Sequence, residues 1–323
     1  MSGWTERYGG VALVTGASSG LGKEFARSLA ERGMDLVLVA RRKSALEDIA
    51  AALGSAYGVR VGVIDEDLTL EGADGRVLNR VLALQMDVGL LVNNAGFGTY
   101  GAFEQQDAEF EGQMVDLNCR APVLLTHRFL PYMKQRGRGG VVIVASMAGF
   151  QPTPFLAVYG ATKAFDLSFG EALWGELRGQ GIDVVTLAPG VVNTGFQEVA
   201  KSAHMPFPGQ QFSARDVVEE TLNGLGRRHL VTPGVLNRWL GRMSAWLPRR
   251  FNILMGVAML RPTKDPHIKK APLENGEFQQ RALRLLLLVL MVWIVDVAVL
   301  SLWTGQIRVW FPDWFDPNWR TTV

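Results

Sequence analysis

Cysteine and recognisable metal ligands are scarce in this chain of 323 residues. Its one cysteine, Cys119, excludes a disulfide bond within the chain, which favours a reducing compartment. The four histidines show no spacing typical of metal ligands, so we expect no metal site. The first ten residues, MSGWTERYGG, contain no apolar run, and Ser2 stands where N-myristoylation requires glycine. We therefore expect neither a cleavable signal peptide nor a myristoyl anchor.

Acidic residues are missing from a long basic stretch near the C-terminus. From Thr221 to Lys264 there is no Asp or Glu, whereas there are seven arginines and one lysine, interleaved with Trp, Met, Leu and Phe. A helix with arginines on one face and apolar side chains on the other suits an anionic bilayer surface. A basic lid that packs on its own domain is the alternative. Basic stretches also bind nucleic acid, but the apolar residues between the arginines argue against it, and we predict no nucleic-acid partner.

A hydrophobic run of nineteen residues, 285–303, has only Asp296 and Ser301 as polar members. Nineteen helical residues span about 28 Å, close to the hydrocarbon thickness of a bilayer. Arginines precede the run and tryptophans follow it, so the pattern predicts one spanning helix with the N-terminal part of the chain on the cytoplasmic side. A hairpin or in-plane helix is an alternative, as is a helix buried in a dimer interface.

The N-terminal half contains a glycine-rich turn between a strand and a helix. Residues 11–15 (VALVT) predict a buried strand, and GASSGLG leads into the helical stretch KEFARSLAERG. Glycines at these positions permit a tight turn and let the backbone approach a pyrophosphate at a helix N-terminus. We predict dinucleotide binding by this turn, through Gly16, Ser18, Ser19, Gly20, Leu21 and Gly22.

Two arginines, Arg41 and Arg42, follow the next predicted strand, DLVLVA. A site that reads the ribose 2′-hydroxyl of NAD places an acid near this position, whereas two guanidinium groups suit a 2′-phosphate. A pair of solvated arginines at a loop is the alternative. We therefore favour NADPH over NADH as the cofactor, with Asp67 and Leu68 placed near the adenine.

Strands and helices alternate along this half of the chain, which predicts an α/β fold with a doubly wound parallel sheet of the Rossmann type. Asn94, Ala95 and Gly96 follow one strand at the carboxyl edge, where such sheets bind ligands.

Tyr159 and Lys163 lie four residues apart in a helical pattern, so their side chains share one helix face about 5–6 Å apart. An ammonium at that distance favours the tyrosinate and suits the tyrosine to proton transfer.

Six motifs follow one another along the chain: TGASSGLG, NNAG, Asn118 in MVDLNCRAP, Ser146 in IVASMAG, Tyr159-x-x-x-Lys163, and APGVVNT at 188–194. In this order and spacing they resemble the classical short-chain dehydrogenase/reductase family over residues 8–225. The resemblance implies an oxidoreductase that transfers hydride between NADP(H) and a carbonyl or secondary alcohol. It also implies a homo-oligomer, paired through helices at about 103–135 and 158–180.

The resemblance further implies a role for each matching residue. Tyr159 would protonate the carbonyl oxygen, Ser146 would donate a hydrogen bond to the same oxygen, and Lys163 would bind the nicotinamide ribose and acidify the tyrosine. Asn118 would interrupt its helix and hold a water that links Lys163 to solvent. The cofactor contacts expected within the last motif are Pro189, Gly190, Val192 and Thr194.

The predicted organisation is a Rossmann-fold catalytic domain at 1–225 that carries a membrane-associating C-terminal extension. The extension consists of a basic amphipathic helical segment at 226–264, a linker at 265–281, and a hydrophobic helix with a Trp-rich tail at 282–323. We expect a membrane-associated protein with its catalytic domain in the cytoplasm, acting on a lipophilic substrate. The alternatives are an epimerase or dehydratase that retains its nicotinamide, and a non-catalytic NADPH-binding membrane scaffold.

Overall fold

A parallel sheet of seven strands forms the centre of the protein. The structure is a computed structural model that describes residues 3–192 and 212–262. The strands, in chain order, are β1 Val11–Thr15, β2 Asp35–Ala40, β3 Val61–Asp65, β4 Val88–Asn93, β5 Gly139–Val144, β6 Ile182–Leu187 and β7 Leu230–Val231. They pair in the order β3-β2-β1-β4-β5-β6-β7, and every pair is parallel. The predicted Rossmann-type sheet is confirmed.

Helices cover both faces of this sheet and connect its strands. Their bounds are α1 Gly3–Tyr8, α2 Gly20–Glu31, α3 Lys43–Tyr57, α4 Ala73–Ala83, α5 Ala108–Val115, α6 Ala121–Gln135, α7 Ala157–Leu177, α8 Ala214–Gly224, α9 Val235–Trp246 and α10 Arg249–Leu260. Short 3₁₀ turns occupy Phe103–Gln105 and Met147–Gly149, and a π turn, Asp116–Arg120, joins α5 to α6.

The sheet is buried on both sides because its strands are almost continuous apolar runs, as parallel strands require. One core lies under α2, α3 and α8 and includes Phe25, Leu46 and Leu222. The other lies under α4, α6 and α7 and includes Val77 and Phe129. Strand order reverses between β1 and β4, which opens a crevice at the carboxyl ends of these strands.

The sheet continues past residue 225, where we predicted the catalytic domain to end. The short strand β7 pairs with β6, and the basic stretch that follows folds as two helices, α9 and α10, separated at Pro248. These helices pack against loops at the carboxyl edge of the sheet. Gly241 lies against the Phe150 ring, Gly256 lies against Pro154, and the Tyr100 hydroxyl donates to the Leu260 carbonyl at 2.8 Å.

Within residues 3–192 and 212–262, no helix combines the length and the apolar character needed to cross a bilayer. The run 285–303, which carries the prediction of a spanning helix, lies outside the described residues, together with the predicted linker and the Trp-rich tail.

Candidate active site

The glycine-rich turn lies against the loop after β4, at the crevice. Gly16 has a φ of 65°, and a Cβ on it would lie 2.9 Å from the Ala95 Cα. A Cβ on Gly22 would overlap the Gly16 carbonyl oxygen and the side chain of Asn94. The Asn94 Nδ2 donates to the Thr15 carbonyl at 2.8 Å. Only glycine fits at Gly16 and Gly22, because the backbone there lies in contact with the neighbouring loop.

Thr15 fixes the two loops to each other, although its sequence context gave no sign of this role. Its Oγ1 accepts hydrogen bonds from the backbone N–H groups of Asn94 and Ala95, each at 2.9 Å. The hydroxyl itself donates to the Val92 carbonyl at 3.3 Å. The end of β1 and the end of β4 are thereby held together at the point where the strand order reverses.

The first turn of α2 is suited to bind an anion. Ser19 is its N-cap residue, with an extended backbone, and no side chain of the described residues caps the helix start. The backbone N–H groups of this turn therefore remain available, and the positive end of the helix dipole adds to their attraction for a phosphate. This is the arrangement that the glycine spacing predicts.

The arginines predicted to read a 2′-phosphate lie beside this turn. The Arg42 guanidinium donates to the Ser18 Oγ at 3.1 Å, which places it over the glycine-rich turn. Arg41, which is largely exposed, lies 3.8 Å from the Asp67 carboxylate. Asp67 itself accepts hydrogen bonds from the backbone N–H and the hydroxyl of Thr69. The ends of β1, β2 and β3 thus bring two cations and one carboxylate to one corner of the crevice.

Ser146 lies two residues after the end of β5 and caps the 3₁₀ turn Met147–Gly149. Its Oγ accepts a hydrogen bond from the Ala148 N–H at 3.2 Å, so its own hydrogen can be donated elsewhere. The Met147 N–H donates to the Pro189 carbonyl at 3.0 Å. The loops after β5 and β6 therefore support each other directly beside the half-buried Ser146 side chain.

Lys163 projects from α7 to the end of β5, one helical turn after Tyr159. Its ammonium donates to the Val144 carbonyl at 2.8 Å and to the Asp166 carboxylate at 2.9 Å, and the residue is only 5% exposed. Gly96 lies nearby, since a Cβ there would be 3.5 Å from the Lys163 Nζ. The strand-end carbonyl and the acid on its own helix thus hold the amine at the carboxyl edge of the sheet.

The charges around Lys163 favour its ammonium form. Burial acts to lower the pKa of Lys163, but the electrostatic interaction with Asp166, followed by that with Tyr159, outweighs it, so that the pKa is raised. Cys119 lies in the same electrostatic environment, where burial and then the charge of Asp166 raise the pKa of its thiol to about 11. The cysteine is therefore a neutral thiol at physiological pH and is not suited to act as a nucleophile.

Asn118 lies in the π turn between α5 and α6, so the helix is interrupted at the residue where the resemblance placed a break. Its Nδ2 donates to the Phe97 carbonyl and to the Thr162 Oγ1, each at 2.9 Å, and its Oδ1 accepts from the Phe97 N–H at 3.1 Å. Thr162 in turn donates to the Tyr159 carbonyl at 2.8 Å. Asn118 thus connects the loop after β4 to the helix that carries Tyr159 and Lys163.

Most of the predicted site residues follow the carboxyl ends of the strands or lie on α7. Leu68 is buried behind Asp67, Gly190 lies against Asn237, and Val192 pairs with Phe212 in an isolated bridge. Thr194 lies outside the described residues.

Sequence reasoning missed three polar residues that support the site, which are Thr15, Thr162 and Asp166. For Asp166 a signal existed, because it is the only charged residue between Lys163 and Glu171, in the mainly apolar stretch AFDLSFG.

A family model described as short chain dehydrogenase matches residues 10–204. The chain belongs to the short-chain dehydrogenase family. A very-long-chain 3-oxoacyl-CoA reductase of Pyrenophora tritici-repentis is 36% identical over 222 residues, which cover 67% of this chain and 63% of that relative. The chain therefore spans less than two thirds of the length of this fungal relative.

Two further proteins match this chain over more of their own length. A 7beta-hydroxysteroid dehydrogenase of Clostridium sardiniense is 31% identical over 233 residues, or 72% of this chain and 88% of the relative. The solved structure of a short-chain dehydrogenase from Sphingobium yanoikuyae in complex with NADPH has 33% identity and a TM-score of 0.66. That likeness covers 80% of this chain and 98% of the other.

Substitution of Gly22 tests the close approach of the glycine-rich turn. We expect Gly22→Ala to lower the free energy of unfolding by about 1–3 kcal/mol, because its Cβ would overlap the Gly16 carbonyl. The matched control is Gly112→Ala in α5, where the added methyl meets no described atom within 4 Å. There the loss of glycine from a helix should stabilise by about 0.5–1 kcal/mol. Urea unfolding measures both, and an unaltered stability of Gly22→Ala would contradict the observed packing.

Proposed function

We propose that this member of the short-chain dehydrogenase family is an NADPH-dependent oxidoreductase acting on a carbonyl or the corresponding secondary alcohol. The observation that carries the proposal is the buried Lys163 ammonium at the carboxyl edge of the sheet, one helical turn from Tyr159 and bonded to the strand that leads to Ser146. A pure dinucleotide-binding scaffold has no use for a hydroxyl donor, a phenol and a buried cation at the same edge.

The residues present fit a dinucleotide cofactor. Gly16 and Gly22 let the glycine-rich turn lie in contact with the loop after β4, where a side chain would clash. The first turn of α2 offers N–H groups to a pyrophosphate, and Lys163 offers its ammonium to a ribose hydroxyl. When bound, NADPH supplies the hydride for reduction of the carbonyl. The protein's own groups then have to orient the substrate and supply the proton.

In reduction, negative charge develops on the carbonyl oxygen, and two preorganised O–H donors stabilise it. Tyr159 donates its phenolic proton to that oxygen, and Ser146 donates a hydrogen bond to it. The Lys163 ammonium stabilises the tyrosinate that Tyr159 becomes, because an opposite charge within about 4–6 Å favours the charged form. Asn118 keeps α7 in register with the loop after β4, so the distance between these donors and the cofactor site stays fixed.

Tyr159→Phe tests the role of the phenol. We expect turnover of a ketone, measured as loss of NADPH absorbance, to fall at least about 100-fold, because general acid catalysis contributes roughly 10²–10⁴. The control is Tyr132→Phe on the surface of α6, which should retain the parent rate. Equal rates in Tyr159→Phe and the parent would refute the assignment. Product formed without any net change in NADPH absorbance would instead indicate an epimerase or dehydratase.

The preference for NADPH is supported by the corner formed by Arg41, Arg42 and Ser18. The strand β2 ends in Ala40, so no acid stands where a 2′-hydroxyl would be bound, and the Arg42 guanidinium already lies at the glycine-rich turn. Guanidinium groups bind phosphate through paired hydrogen bonds. The Sphingobium yanoikuyae relative was solved with NADPH, which agrees with this proposal.

Arg41→Ala and Arg42→Ala, made separately, test this preference. Each should weaken NADPH binding about 10- to 100-fold while NADH binding changes little, since a hydrogen bond to a charged group is worth about 1.5–3 kcal/mol. Arg60→Ala is the matched control, because Arg60 pairs with Asp35 at the opposite end of the strands. Dissociation constants for both cofactors come from fluorescence titration. Equal losses for NADPH and NADH would contradict the 2′-phosphate assignment.

The exposed surface of α9 and α10 supports two proposals. The first is that the protein docks on an anionic bilayer, and the second is that its substrate is lipophilic. Val235, Leu236 and Trp246 are 75%, 58% and 79% exposed, and Arg249 and Arg250 are exposed at the start of α10. The segment that forms these helices combines exposed apolar side chains and arginines and has no acidic residue of its own, which suits a bilayer rich in anionic lipid. Because these helices cover the loops around the site, a bilayer bound to them would lie next to the site, and we propose a membrane-associated enzyme. The arginines before the run 285–303 favour a catalytic domain in the cytoplasm. The names of the 3-oxoacyl-CoA and hydroxysteroid relatives agree with a lipophilic substrate.

Docking by this surface can be measured on a chain that ends at Pro262, because residues 1–262 form one compact unit. We expect this chain to sediment with vesicles that contain phosphatidylserine and to be released by high salt. Trp246→Ser should weaken binding about tenfold or more, since burying a large apolar side chain is worth roughly 1.5–3 kcal/mol. Phe103→Ser, also at an exposed site, is the control. Vesicle binding that is weakened neither by high salt nor by Trp246→Ser would refute the docking surface.

We also propose a homo-oligomer, formed through the surface shared by α5 and α7. A shallow apolar depression there is lined by Val115, Cys119, Ala157, Val158, Ala161 and Thr162. Phe110 and Phe165 are exposed on the same two helices. An apolar patch of this kind on a soluble domain typically marks a protein–protein interface, and it coincides with the helices that the resemblance to the family implicated in pairing.

A further inference from the structure

We propose that Asp166 is a positioning residue which, as the counter-ion of Lys163, keeps Tyr159 protonated to higher pH and so extends carbonyl reduction into the alkaline range. This inference rests on the function proposed above. It concerns an acid that none of the six sequence motifs includes.

The hydrogen bonds of Lys163 leave it one donor for the active site. An ammonium has three N–H groups, and here one is bonded to the Val144 carbonyl and another to the Asp166 Oδ2. Both acceptors belong to rigid elements, the strand β5 and the helix α7. The third N–H is therefore fixed in direction, and the ammonium cannot rotate freely between a ribose hydroxyl and the phenol.

Asp166 is the least exposed charged residue in the described part of the chain. It is 2% exposed, and its second oxygen, Oδ1, has no hydrogen-bond partner among the described residues. A carboxylate in such a place is stabilised by its cation and by little else. Burial raises the pKa of Asp166, and the Lys163 ammonium opposes that rise. The ion pair, rather than the carboxylate alone, is therefore the charged unit one helical turn after Tyr159 on α7.

The groups that act on Lys163 are Asp166, Tyr159 and Cys119, and the acid acts more strongly than the phenol. A lone ammonium beside a phenol favours the tyrosinate, whereas an ammonium already paired with a carboxylate presents a nearly neutral pair. Cys119 is the weakest of the three, because burial raises the pKa of its thiol to about 11 and leaves it uncharged until the pH is strongly alkaline. Asp166 thus offsets part of the acidifying effect of Lys163 on Tyr159. Because reduction requires the protonated phenol, that offset widens the pH range in which reduction proceeds.

Asp166→Asn tests the inference, because it removes the charge and keeps the shape. We expect the alkaline limb of kcat/KM for ketone reduction and the acid limb for alcohol oxidation to move together to lower pH, by about one pH unit. Asp166→Leu makes the same change of charge without a polar group and should give the same displacement. It replaces Asp166→Asn in the test should the amide variant fold poorly. Asp166→Glu, which restores the carboxylate, should return both limbs toward those of the parent.

The matched control is Asp74→Asn, which removes another buried carboxylate, paired with Arg128 between α4 and α6 at 2.6 Å. It should lower stability and leave both limbs in place. A purely structural role of Asp166 would give the same result as the control, with reduced stability and unmoved limbs, and would overturn the proposal. Movement of the limbs to higher pH would overturn it as well, since Asp166 would then serve only to keep Lys163 charged.

A second readout needs no substrate and separates this inference from the proposed function. The tyrosinate absorbance of the protein is titrated with pH, and the signal of Tyr159 is isolated by subtracting the titration of Tyr159→Phe. We expect that signal to emerge at lower pH in Asp166→Asn than in the parent. If this displacement is seen without turnover of any ketone, the electrostatic role stands and the oxidoreductase proposal fails. If turnover is found and the titration is unchanged, the electrostatic role fails.

Discussion

The hydrogen bond from the Lys163 ammonium to the Val144 carbonyl is the contact on which the geometry of the site depends. It joins α7, which carries both Tyr159 and Lys163, to the strand that leads to Ser146. A buried ammonium without partners would cost several kcal/mol, so α7 can pack in this register only because the carbonyl and the Asp166 carboxylate receive the charge. The same contacts that stabilise the fold therefore set the position of the reacting groups.

Much of this arrangement could be predicted because it follows local rules. A strand followed by glycines and a helix places Gly16 and Gly22 at a helix N-terminus, and parallel strands bring their carboxyl ends to one edge. Ser146 after β5 and the Tyr159–Lys163 spacing on α7 then reach that edge by the same rule. In each case the information lies within a few residues of the group concerned, which is why a single sequence suffices.

The parts that escaped prediction depend on contacts between distant segments. Thr15 bonds to backbone groups about eighty residues later in the chain, and nothing in VALVTG distinguishes it from an ordinary strand residue. Asp166 lies outside every motif, and its burial follows from the packing of α7 on β5. The strand β7 is only two residues long, too short for an alternating or apolar pattern to show. Pro248 divides the basic stretch into two helices where one amphipathic pattern was expected.

The π turn Asp116–Arg120 has a consequence for how the chain tolerates change. A π turn contains one residue more than the α-helix it interrupts, and one residue corresponds to a rotation of roughly 100° about the helix axis. Deleting a single residue there would let α5 and α6 merge into one regular helix, yet it would turn either Asn118 away from Phe97 or the apolar face of α6 away from the sheet. The π turn allows one continuous segment to hydrogen-bond the loop after β4 through Asn118 and also to pack the apolar face of α6 on the sheet.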